Sequence, residues 1–447
     1  MRATRRHLRR HGGTKHQAVT GEHPPKSIVG DEDLLRFSLA GRHGYASRGM
    51  TLPFAVAVAA ATVLLPWTGL FPTPPAAFVD PPAAAVPPPG SPGERPVMVD
   101  THADTTQRIV YQGASFLDGI PGAHLDLPKM RAGGLDAQFF SIYVLPKRTA
   151  PPAFFSEAMR QISAIEALAA GSRGRLALAR TAREVRANAA RGVPTALLGV
   201  EGGHSLGAGT EAEQLDHLRQ LAAHGVRYMT LTWTNSNSIG GSSGDDGDGR
   251  GLTDFGRRVL DEMQRLGILI DLSHVSDPLF WDAIRYAKKP VLLSHSSSRA
   301  LANVPRNVTD AMLRAVARND GAVCVNYNPA FLDADYARNQ GPLWAAARDL
   351  PPDEGWRRVQ EASARLAPVP LARLADHIMH VVEVAGVDHV CLGSDFDGVP
   401  ALPAGLDDAS HLPALTAELR RRGVGPEDLR KILGANTLRV MEANEAR

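Results

Sequence analysis

The chain has 447 residues, 44% of them hydrophobic, which is enough for a large buried core and for one α/β barrel of about 250 residues or more as a single domain. A formal net charge of +2 with 21% charged residues gives no global basic field, so composition argues against a nucleic-acid partner, and it excludes disorder for most of the chain. The two cysteines, Cys324 and Cys391, are no disulfide framework; both sit in apolar runs (GAVCVNY, HVCLGSDF) and are expected to be buried free thiols.

Residues 1–49, rich in Arg, Lys and His (MRATRRHLRRHGGTKH), are expected to be a poorly ordered cytoplasmic segment. Residues 50–71 contain TLPFAVAVAAATVLLPWTGLF, an uncharged run long enough to cross a bilayer. With the basic residues ahead of it, this run is read as a single-span anchor that leaves the rest of the chain outside the cytoplasm. The alternatives are a cleaved signal peptide and an Ala-rich stretch that does not insert; a start at Met50 would remove the basic segment. Residues 72–95 form a Pro/Ala-rich linker of extended polyproline type.

From residue 96 to 447 short aliphatic runs alternate with amphipathic segments. The runs are RPVMVDTHAD, GLDAQFFSIYV, TALLGVEGG, RYMTLTW, GILIDLSH, PVLLSH, GAVCVNY and DHVCLGSDF. Between them lie stretches such as EAEQLDHLRQLAAHG and TDFGRRVLDEMQRLG, with apolar residues three and four apart and a closing Gly. Near-continuous apolar strands alternating with helices, eight times over, predict an α/β fold of the (β/α)8 TIM-barrel type.

The ends of these runs carry the chemistry: His102 and Asp104 after the first, Glu201 after the third, His274 after the fifth, His295 after the sixth and Asp395 after the eighth. In a parallel barrel all C-terminal strand ends share one face, so these residues are expected to converge. Side chains alternate along a strand, which puts His102 and Asp104 on one side, able to grip one ion together. Imidazole and carboxylate suit zinc and similar dications. His102, Asp104, Glu201, His274 and His295 exceed the needs of one tetrahedral ion, and Glu201 is the natural bridge between two. Taken singly, His274 or His295 reads more readily as a helix N-cap neighbour or a buried, hydrogen-bonded histidine; it is their joint placement at strand ends that favours metal.

The segments DTHAD, GVEGGHSL, YMTLTW, GLTDFGRRVLDEMQRLGILIDLSHVS, PVLLSHSSSRAL, NVPRNVTD and VDHVCLGSDFDG occur in an order that resembles the membrane dipeptidase (renal dipeptidase) family, peptidase family M19 of the amidohydrolase superfamily. The resemblance runs from about residue 96 to the C-terminus. It implies two Zn2+ ions per chain, one held by His102 and Asp104, the other by His274 and His295, with Glu201 and a hydroxide between them. It further implies Asp395 as proton shuttle and Arg306 as the group that holds the substrate carboxylate. Asp397 is expected instead to be a helix N-cap. Where many members read TLTH this chain reads TLTW. Trp233 thus stands at the position of a carbonyl-binding His, and an indole donates one hydrogen bond but cannot become a cation. Asn235 or Asn237 is the candidate to donate in its place.

GGSSGDDGDGRG, Gly240 to Gly251, lacks P-loop and EF-hand spacing and is expected to be a flexible loop over the barrel mouth. The long segment after CVNY is expected on the active-site face as a lid or a dimer contact. The expectation is therefore a zinc-dependent dipeptidase, membrane-anchored and extracytoplasmic, acting on small dipeptides, with a homodimer implied by the resemblance. An N-acyl amino acid deacylase on the same centre and a catalytically impaired metal-binding scaffold are the alternatives.

Overall fold

The computed structural model describes residues 95–245 and 249–446; the predicted basic segment, membrane run and most of the linker lie outside the described residues. Among the described residues no helix is long and apolar enough to cross a membrane. Among the described residues there are nine parallel strands: β1 (Val99–Ala103), β2 (Ala137–Tyr143), β3 (Ala177–Leu178), β4 (Thr195–Glu201), β5 (Val226–Thr230), β6 (Leu269–Asp271), β7 (Leu292–Leu293), β8 (Ala322–Val325) and β9 (Val390–Leu392). The order β2-β1-β9-β8-β7-β6-β5-β4 closes through β2–β4 pairing into an eight-stranded barrel, and β3 is a two-residue addition beside β4. All eight predicted runs are barrel strands.

Local signals place the helices. The helix Asp254–Leu266 starts where Thr253 accepts a hydrogen bond from the Gly256 N–H and stops at Gly267 in the left-handed conformation; it buries Phe255, Val259, Leu260 and Met263 on one face. Thr210 and Glu213 make a reciprocal capping box at the start of Glu211–Ala223. These helices pack around the barrel in one continuous core.

A second cluster draws one or more residues from every barrel strand, among them Val99, Phe139, Leu197, Tyr228, Leu269, Leu292 and Cys391, and so fills the barrel interior. Tyr228 fits because Gly199 faces it: a Cβ on residue 199 would lie 2.0 Å from the phenol ring. Cys324 and Cys391 belong to this cluster and are joined in a disulfide, which corrects the expectation of free thiols. They are 67 residues apart in sequence, but they are directly paired on the neighbouring strands β8 and β9, a juxtaposition that hydropathy alone does not reveal.

Candidate metal centre and active-site pocket

His102, Asp104, Glu201, His274, His295 and Asp395 meet at the C-terminal end of the barrel. Glu201 lies between a pair of histidines and a single one. Its Oε1 is 2.9 Å from His274 Nε2 and 3.4 Å from His295 Nε2, and its Oε2 is 3.5 Å from His102 Nε2. His102 Nε2 is 3.9 Å from Asp104 Oδ1. Two triads, His102/Glu201/His295 and His102/Asp104/Asp395, each offer ligand atoms within 4.8 Å of one another. His102 Nε2 and Asp104 Oδ1 are buried with no hydrogen-bond partner, a costly state that a cation would relieve. The donor set fits zinc or a similar dication.

The backbone is bent to present these groups. Among the described residues five non-glycine residues have positive φ, and three of them, His274 (71°), Asp395 (63°) and Asp397 (63°), line this pocket. Such conformations persist only where the surroundings hold them. For His274 the holder is the loop at 240–245: the Ser243 N–H donates to the His274 carbonyl over 2.8 Å, and Ser243 Oγ donates to it as well. The described part of that loop therefore buttresses a site residue, in contrast to the expected flexible cover. Asp395 is held through its N–H, which donates to the His102 carbonyl (3.0 Å), and through Oδ2, which accepts from Asn326 Nδ2 (2.9 Å). Gly398 is needed underneath: a Cβ there would come within 2.2 Å of Asp395 Oδ1 and 2.5 Å of Asp104 Oδ2.

The rings are aimed by partners that sequence reasoning missed. Tyr228 Oη is 2.8 Å from His102 Nδ1, and Ser294 Oγ is 2.7 Å from His295 Nδ1, so in both rings Nε2 is the nitrogen left to face the cluster. The signal existed for Ser294, which immediately precedes the histidine; Tyr228 is 126 positions from His102 and only barrel closure joins them.

Electrostatics tell the same story. Burial disfavours the His102 imidazolium, yet Glu201, Asp104 and Asp395 outweigh it and push the group up to about 10. Burial, aided by Arg306, pulls His274 down to about 4, and burial also holds His295 well below its usual range. Burial and the Glu201 charge raise Asp104 well above the ordinary carboxylate range; burial raises Asp395 too. Glu201 would be raised by burial, but His102, His274 and His295 hold it well below. Two carboxylates are penalised for being ionised together in a dry site, and this is the local charge imbalance a dication corrects.

Arg306 is half-buried, with its Nε and Nη2 atoms inside the protein. Its Nη1 donates to Ser296 Oγ (3.1 Å), whereas Nε and Nη2 have no partner. Burial lowers it to about 10, which leaves it charged at neutral pH. Asp397 caps no helix, contrary to expectation. It accepts from Thr105 Oγ1 (2.7 Å), Arg108 Nε (2.8 Å) and the His124 N–H (2.9 Å), tying β1's following helix to the loop after β9.

A cavity of about 710 Å³ opens onto the cluster and is lined by Asp104, Glu201, His274, Asp395 and Trp233. Trp233 packs against Tyr143, their ring centroids 4.8 Å apart. Neither Asn235 nor Asn237 lines it: Asn237 Nδ2 donates to the Leu231 carbonyl (2.9 Å) and Asn235 Nδ2 to the Ser236 carbonyl (3.3 Å), so the expected stand-in donors are turned into their own loop. The segment after β8 folds into helices Pro329–Leu332, Ala334–Ala347 and Pro352–Ser363, which wall the cavity, as a lid would.

Fold and site together define a metal-dependent hydrolase built on a (β/α)8 barrel. The chain belongs to the membrane dipeptidase family, peptidase family M19, whose family model matches residues 94–447. Among solved structures it is similar to dipeptidase AC, a metallopeptidase of family M19, with 28% identity, TM-score 0.68, and coverage of 79% of this chain and 100% of that one. A metallopeptidase from Rhodobacter sphaeroides, liganded with a phosphinate mimic of the dipeptide L-Ala-D-Ala, matches with 26% identity, TM-score 0.64 and the same coverage. The probable dipeptidase PvdM from Pseudomonas aeruginosa shares the fold at 23% identity and TM-score 0.68, over 78% of this chain and 96% of that one.

Proposed function

We propose that the chain is a zinc-dependent dipeptidase that holds two ions, His102 and Asp104 on one side, His274 and His295 on the other, with Glu201 bridging. The observation that carries this is the two-sided Glu201, one carboxylate oxygen toward His274 and His295 and the other toward His102. When bound, the zinc ions supply a Lewis acid for the scissile carbonyl and lower the pKa of water.

The chain's own residues do the rest. The partnerless Nε and Nη2 of Arg306 receive the substrate carboxylate as a fork. Asp395, raised by burial and steadied by Asn326, takes the proton of the attacking water and delivers it to the leaving amine. Water's OH adds to the carbonyl carbon, the C–N bond breaks as the relayed proton reaches the nitrogen, and the products are two free amino acids, the second released through its amino group. Trp233 and Tyr143, with ring centroids 4.8 Å apart, give the reacting centre an aromatic wall.

We further propose that the catalytic barrel lies outside the cytoplasm, with residues 50–71 as its membrane tether. The buried Cys324–Cys391 disulfide supports an oxidising compartment. The test is metal content and release of free amino acid from a dipeptide panel by the purified protein, beside Asp395→Asn. About two zinc ions per chain, with cleavage that falls at least about 100-fold in the variant while zinc is retained, is the expected result. Bound zinc without cleavage of any dipeptide would defeat the dipeptidase reading.

A further inference from the structure

The cavity is larger than a small dipeptide needs. At about 710 Å³ it falls in the range that encloses drug-sized ligands, roughly 300–1,000 Å³. Polar groups line the rim as well as the cluster, Gln340, Arg348 and Asp353 among them, and between them the wall around the two helices Ala334–Ala347 and Pro352–Ser363 carries an apolar patch of Leu145, Val304, Phe331, Trp344, Leu350 and Trp356. Trp344 is the exposed large hydrophobic residue among the described residues, at 41%, and its ring lies 5.8 Å from that of Trp356. An exposed indole paired with a second one on a cavity wall offers a large, rigid contact surface at little entropic cost.

This wall is fastened across the cavity. Lys147 Nζ donates to the Leu350 carbonyl (2.7 Å) and Arg148 pairs with Asp353 (2.5 Å), so the loop after β2 touches the turn between the two helices and the first turn of the second through solvent-exposed contacts. Trp233 extends the apolar surface to the reacting centre, where it packs on Tyr143.

We infer that the physiological substrate is an amide-linked amino acid carrying a bulky apolar group, and that Trp344 and Trp356 form the subsite for that group. This deepens the dipeptidase reading and rests on it. Two sources share the chemistry: an aromatic or branched side chain of a dipeptide, or an acyl chain on the nitrogen of a single amino acid.

The test uses the metal-loaded full chain with three substrates: Ala-Ala, Leu-Phe and N-decanoyl-alanine. Burying one large apolar group predicts a kcat/KM for at least one bulky substrate that exceeds that for Ala-Ala by about tenfold or more. That ratio should fall toward one in Trp344→Ala and in Trp356→Ala, and the better bulky substrate names the source. Equal rates on all three would overturn the subsite and leave the dipeptidase reading standing. Absence of any turnover would defeat the dipeptidase reading, and calorimetry then decides the subsite by itself. Phosphinate dipeptide mimics with a benzyl or a methyl side chain are titrated into the wild-type protein: tighter binding of the benzyl mimic supports the subsite, and equal affinity overturns it.

Discussion

Tyr228 Oη stands 2.8 Å from His102 Nδ1 inside the barrel, and this contact determines which imidazole nitrogen can face the cluster. Burial keeps the phenol un-ionised, well above its usual range, so it remains a hydrogen-bonding hydroxyl at every working pH. Without it His102 loses the partner that sets its tautomer and ring orientation. Tyr228→Phe is expected to weaken zinc binding by about 10- to 100-fold, measured by competition with a chelator, while the fold is kept because the ring still packs on Gly199. Unchanged zinc affinity would show that the hydroxyl plays no orienting part.

Trp233 occupies the place where a donor to the carbonyl oxygen is expected, and neither Asn235 nor Asn237 replaces it. Losing such a donor costs a factor of about 100 to 1000. Trp233→His should therefore raise kcat on small dipeptides by at least about tenfold, with a smaller change in KM. A fall in kcat would mean that the indole itself serves the reaction.

His377 is fully buried and neutral in the fold. Its Nδ1 accepts from the Ser298 N–H (3.1 Å) and its Nε2 donates to the Leu332 carbonyl (3.0 Å). Burial pulls it down from 6.5 to about 4. Between these values the unfolded chain binds a proton that the folded chain does not, so this contribution is present above pH 6.5 and is lost as pH falls toward 4. It amounts to up to about 3 kcal/mol. Urea denaturation of wild type and His377→Asn at pH 7.5 and pH 5 should show a stability gap that narrows at the lower pH; a constant gap would refute the assignment.

The Cys324–Cys391 link closes a loop of 67 residues inside the barrel. Replacing both residues with Ala should cost about 2–4 kcal/mol, to which lost packing also contributes. Thiol titration of the denatured wild type should find no free thiol before reduction and two after it. Two free thiols in the oxidised protein would contradict the pairing.

The barrel was legible because its signal is local and repeated: eight apolar runs alternate with 3.6-period segments, and each run became a strand. The cluster was legible for a related reason. Parallel strands in a closed barrel bring all their C-terminal ends to one rim, so His102, Asp104, Glu201, His274, His295 and Asp395 could be gathered before any coordinate was known. What chain order determined by itself was thus the identity of the converging groups.

Tertiary structure decided everything that depends on which surfaces meet. It brought Cys324 opposite Cys391, placed Tyr228 against His102 through the gap left by Gly199, and turned Asn235 and Asn237 away from the cavity. It also made Asp397 a buried strut for Arg108 and Thr105, where local spacing alone suggested a cap. The physical reason is common to all of these. Periodicity reports which face of an element is buried, but the partner across the core is chosen by strand register and side-chain shape, and those are properties of the closed barrel.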